Sequence, residues 1–102
     1  MSIKKQYLKS KPICKVTFRL SGEAVGSVGS ANIVGEFNDW NIYATPMKKL
    51  KNGSFTVAID LEPNKEYQFR YLMDDKIWGN DEGADKYVSH PYGDGENSVV
   101  VL

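Results

Sequence analysis

The sequence holds one cysteine, Cys14, and one histidine, His90, in 102 residues. A single thiol excludes an internal disulfide and fits a reducing compartment. Cys14 has no histidine beside it to activate it, so it reads as an inert thiol. His90 precedes Pro91 with no second His or Cys nearby, a poor basis for a metal site. It reads as a surface or loop-anchoring residue. Net charge is lacking too, since 13 Lys and Arg balance 13 Asp and Glu. Nothing in that balance favours nucleic acid or an anionic membrane as a partner. No apolar run approaches a membrane span. The start, Met-Ser-Ile-Lys-Lys-Gln-Tyr-Leu-Lys, lacks the apolar core of a signal peptide. A cytoplasmic protein is the expectation. No segment of useful length repeats apolar residues at helical spacing.

What the sequence does have is alternation. Val16, Phe18 and Leu20 point one way; Lys15, Thr17 and Arg19 point the other. Phe55, Val57, Ile59 and Leu61 alternate with Thr56, Ala58 and Asp60. Tyr67, Phe69, Tyr71 and Met73 alternate with Gln68, Arg70 and Leu72. Residues 31 to 36 and 97 to 102 read as further strands. Between them lie turn signals: Lys51-Asn52-Gly53-Ser54, Glu62-Pro63-Asn64-Lys65 and Asp74-Asp75-Lys76. Short strands without helices imply an all-β fold, an immunoglobulin-like β-sandwich of two antiparallel sheets. Residues 12–102 form one expected domain. Residues 1–11, rich in lysine, are expected as a flexible tail, the alternative being a basic arm for an acidic partner. Residues 21 to 30 are Gly/Ser-rich, but a strand follows and no Gly-Lys-Ser/Thr does, so they are not a phosphate loop. Residues 79 to 96 are polar, with Tyr87, Val88 and Tyr92 as anchors.

One stretch stands apart, Val34-Gly35-Glu36-Phe37-Asn38-Asp39-Trp40-Asn41. It starts as a strand and ends in a turn favoured by Asn and Asp. Trp40 then either folds back into the core or offers a flat apolar face to a ligand.

Gly-Glu-Phe-Asn-Asp-Trp, followed by Pro46-Met47 and Gly53-Ser54-Phe55, resembles carbohydrate-binding module family 48. That is the early-set domain at the N-termini of isoamylases and glycogen branching enzymes. It is also similar to the glycogen-binding domain of the AMP-activated protein kinase beta subunit. The likeness continues through Glu66-Tyr67-Gln68-Phe69-Arg70-Tyr71, Trp78 and Asn97, and covers roughly residues 12 to 102. It implies an α-1,4-glucan ligand: glycogen, starch or maltooligosaccharide. It implies Trp40 and Trp78 as stacking platforms, with Arg70 and Asn97 bonding sugar hydroxyls. Arg70 stands where the kinase-subunit type carries Lys. The hairpin from Arg70 to Trp78 is one residue longer than in that type.

Other roles stand beside these. Trp40 and Trp78 could plug the core, Arg70 could pair with a carboxylate, and Asn97 could start a strand. Two platforms and two polar contacts give about 7 kcal/mol gross at ~25 cal/mol per Å2. After ordering costs, a Kd of roughly 0.1 mM is expected.

In the resembling enzymes the catalytic groups sit on a separate barrel, so this chain is expected to bind without catalysis. Its carboxylates suggest no cleft holding two of them at glycosidase separation. Asp81 to Asp85 reads as a solvated acidic turn and lacks the pattern of a calcium loop. No metal or cofactor is expected. The preferred reading is a free-standing glucan-binding module. The alternative is a protein-interaction module that docks on a glycan-metabolising enzyme and has no sugar site.

Overall fold

The computed structural model describes residues 3–22, 28–89 and 95–102. Its strands are β1 (Ile3–Tyr7), β2 (Cys14–Leu20), β3 (Ala31–Gly35), β4 (Lys48–Lys49) and β5 (Phe55–Leu61). They continue with β6 (Glu66–Met73), β7 (Ile77–Gly79), β8 (Lys86–Ser89) and β9 (Glu96–Val101). One sheet runs β1-β2-β5-β4, and the other runs β3-β6-β9-β8 with β7 also pairing β6. All pairings are antiparallel. The expected all-β sandwich of two antiparallel sheets is the fold observed.

The core follows from period-two alternation, which sends every second side chain inward. From the first sheet come Val16, Phe18, Phe55 and Leu61. From the second come Ile33, Phe69, Tyr71 and Val100. Phe18 meets Phe69 edge-on with ring centroids 5.0 Å apart, and Phe69 meets Tyr71 edge-on at 5.6 Å. Such pairs add about 0.5–1.5 kcal/mol beyond the area they bury. Cys14 is a free, buried thiol within this core.

The turns close where the sequence marks them. Leu50 N–H donates to Ser54 O at 2.7 Å, and Gly53 N–H donates back to Leu50 O at 3.0 Å. Gly53 sits at φ +88, a conformation glycine takes without penalty. Lys76 N–H donates to Met73 O at 3.1 Å, closing the turn that leads to Trp78.

Two expectations need correcting. Residues 3–7 lie within the expected flexible tail, yet they form β1, paired with Cys14 to Phe18 of β2. Backbone pairing carries this edge strand, and Ile3 is its one buried side chain, so the hydrophobic pattern leaves it unmarked. Lys5 ties it to the second sheet through an ion pair with Asp85 at 2.7 Å.

The second correction concerns Asp81, expected in a solvated acidic turn. Asp81 is 1% exposed. Its Oδ2 accepts from the Tyr71 hydroxyl at 2.5 Å, and its Oδ1 accepts from Gly83 N–H at 2.7 Å. Its own N–H donates to Ser98 Oγ at 2.9 Å. The phenol and the Gly83 N–H take the place of water around the carboxylate. His90 and Tyr92 lie outside the described residues.

Candidate functional site

The stretch around Trp40 is built on one close approach and one clasp. At Gly35 a Cβ would lie 2.5 Å from Gln68 O and 2.7 Å from Phe69 Cβ, so only glycine fits against β6. The chain then makes a short 3-10 turn, Glu36–Asn38. Asn38 clasps the loop: its Oδ1 accepts from Gly35 N–H, and its Nδ2 donates to Ile33 O and Thr45 Oγ1, each at 3.0 Å. Glu36 Oε1 accepts from Gln68 N–H at 2.6 Å, extending the β3–β6 ladder by one side chain.

This geometry decides which ring goes inside. Phe37 packs against the core, 5.8 Å from the Phe18 ring and 6.3 Å from the Phe69 ring. Asp39 and Trp40 follow at φ 55 and φ 57, two consecutive left-handed residues. Left-handed backbone costs an L-residue roughly 1–2 kcal/mol. That reversal carries Trp40 away from the core, and Trp40 N–H caps Gly35 O at 2.9 Å. Trp40 is 39% exposed.

The other three predicted residues lie on the outer face of the second sheet. Arg70 and Leu72 alternate with the inward Phe69 and Tyr71. Trp78 pairs with Leu72 across β6 and β7, so the two share a face, and Trp78 is 48% exposed. Asn97 enters this face from β9, the neighbour of β6. Arg70 Nε donates to Asn97 Oδ1 at 2.6 Å, and Asn97 Nδ2 donates to Gln68 Oε1 at 2.9 Å. Arg70 therefore pairs with an amide, and it makes no ion pair among the described residues. Its Nη2 is buried and has no hydrogen-bond partner among the described residues. A buried donor left so costs about 1–3 kcal/mol. Asn97 is 1% exposed, so its amide holds Arg70 in place more than it meets solvent.

The structure thus joins Arg70 to Asn97 and sets Trp78 beside them. Trp40 stands apart, on the loop at the end of β3. Register puts Gly35, which anchors Trp40, two strands and three residues from Trp78, roughly 14 Å by strand spacing and rise. Val34 and Leu72, between the indoles on the outer face, are both buried.

Sequence reasoning missed two contributors. Gln68 holds the far side of Asn97, and its period-two spacing from Arg70 is the signal that places it there. Tyr43 is 76% exposed on the Trp40 loop, with its N–H bonded to Asn41 Oδ1 at 2.9 Å. Nothing in the periodicity marks that residue. No three His, Cys, Asp or Glu residues gather as metal ligands among the described residues.

A two-sheet β-sandwich with one indole beside a polar pair on a solvent-side face, and a second on a neighbouring loop, is compatible with a carbohydrate-binding accessory module. The sequence model of carbohydrate-binding module 48 (isoamylase N-terminal domain) matches residues 28–93. The chain belongs to that family, whose members are accessory, non-catalytic modules. Comparison with curated proteins gives no match.

Proposed function

We propose that the chain binds α-1,4-glucans, such as glycogen, starch or maltooligosaccharides, and performs no hydrolysis or transfer. The supporting observation is that Arg70, Asn97 and Trp78 share one face, with Trp40 at its border. A pyranose ring has one C–H-rich face and a rim of hydroxyls. An indole covers the first, and a fixed guanidinium donates to the second. Arg70 and Asn97 are held before ligand arrives, which lowers the ordering cost of binding.

Tryptophan fluorescence during titration with maltoheptaose and β-cyclodextrin tests this. A saturable change with a midpoint near ~0.1 mM is expected in wild type. It is lost in Trp40→Ala while the circular dichroism spectrum is kept. No change up to ~10 mM would overturn the sugar site and favour a docking module instead.

A further inference from the structure

The 13 basic and 13 acidic residues cancel in total but not sheet by sheet. Across residues 3–20 and 48–61, which hold the whole β1-β2-β5-β4 sheet, the one acidic residue is Asp60. The outer face of this sheet carries Lys4, Lys15, Arg19 and Lys48, all exposed. Register fixes their layout. Lys4 stands beside Thr17 and Ala58, Lys15 lies between Gln6 and Asp60, and Arg19 and Lys48 flank Thr56. The ion pairs among the described residues are Lys5–Asp85, Lys65–Glu62 and Lys86–Glu66, none of them on this face. Among the described residues Arg19 reaches only Ser54 Oγ, at 3.4 Å.

We propose that this outer face is a docking surface for an acidic protein. Like charges on one rigid sheet repel, and little of the molecule's own acid lies there to offset them, so a partner's carboxylates complement the face. Thr17, Thr56 and Ala58 between the charges are short enough for a flat surface to come close. Nucleic acid fits less well, because the face holds no aromatic side chain on which bases could stack. Asp60 in its midst opposes a uniform polyanion, yet sets the register of a partner that also carries a cation. Strands of five, seven, seven and two residues give a face of roughly 340 Å2, by strand spacing and rise. That is less than half of one partner's share in a standard interface, about 800 Å2, so the complex is weak and salt-sensitive. The proposal does not depend on the sugar site, which lies on the opposite sheet.

Titration of the 15N-labelled chain with poly-L-glutamate, followed by amide NMR, tests it. Saturable shifts are expected at Lys4, Lys15, Thr17, Arg19 and Lys48, with Arg70 and Trp78 unmoved. Affinity is expected to fall at least about tenfold from about 0.05 to about 0.5 M NaCl, as screening shortens from beyond 10 Å to below 8 Å. Lys15→Glu with Arg19→Glu is expected to lower it about tenfold more. Lys15→Ser with Arg19→Ser gives a neutral control should the first variant unfold, with about a threefold loss. The proposal is overturned if shifts fall on the other sheet or neither variant weakens binding. Tighter binding to oligo-dT or to phosphatidylserine vesicles than to poly-L-glutamate overturns it as well.

Discussion

Arg70 Nε and Asn97 Oδ1 meet at 2.6 Å across 27 positions of sequence, joining β6 to β9 on the sheet's outer face. The bond fixes a guanidinium on a face where the other cation, Lys86, is already paired with Glu66. Asn97→Ala removes the acceptor from Nε while Nη2 already lacks one. A loss of about 1–3 kcal/mol is expected. Thermal denaturation should show it as a fall of about 4–8 °C in Tm per kcal/mol. Adding Arg70→Ala should recover part of that loss, since the orphaned guanidinium is then gone.

Gly35→Ala should destabilise the fold through sterics alone. The added methyl meets Gln68 O and Phe69 Cβ well inside contact distance. The backbone there is extended, so conformational preference plays no part. Urea denaturation is expected to show a loss of about 1–3 kcal/mol, the range for overpacking. The Trp40 loop hangs from this contact, so sugar affinity should fall with it.

Tyr71 makes the fold sensitive to alkali. Burial pushes its phenol far above the ordinary value, and the charge and hydrogen bond of Asp81 push the same way. A raised folded-state value means the stabilisation is full below the unfolded phenol's value of about 10 and is lost as pH rises above it. Tm should therefore fall with increasing pH above about 10, the ordinary phenol value. Tyr71→Phe should flatten that fall. At neutral pH it should cost about 1–3 kcal/mol, because Asp81 loses one of its buried donors.

Asp85 gives the acid limb. Burial pushes its carboxyl up, but hydrogen bonds from Lys5 and Val101 N–H, with the lysine's charge, outweigh it and hold the group below its ordinary 3.8. A lowered folded-state value means the contribution is present above 3.8 and is lost as pH falls through the folded value. Both side chains of the pair are partly exposed, so it is worth at most ~1 kcal/mol after screening. Asp85→Asn should lower Tm slightly at pH 7, and the gap from wild type should close in acid.

The strands that sequence makes legible are those with one wet face and one dry one. β2, β5 and β6 each alternate over seven or eight residues, and the structure keeps that phase. β1 escapes notice because a single buried Ile3 carries no period. The burial of Asp81 escapes because its partner Tyr71 lies ten positions away and Ser98 seventeen, where no local pattern reaches. At the candidate site, the motif names Trp40, but its exposure rests on handedness. Two left-handed residues send Phe37 inward and Trp40 outward. Composition could not show the separation of charge between sheets, since the sum is zero.

Trp78 rides on β7, three residues long, held by pairs to Tyr71, Leu72 and Met73 alone. Beyond β7 no further strand pairs with it among the described residues. Its amides exchange with solvent whenever this one hairpin opens, an event far less costly than unfolding the sandwich. If a sugar stacks on Trp78 as proposed, it can bind only the closed hairpin. Part of its attraction would then go into holding that hairpin shut, and the rim would gain rigidity from the ligand.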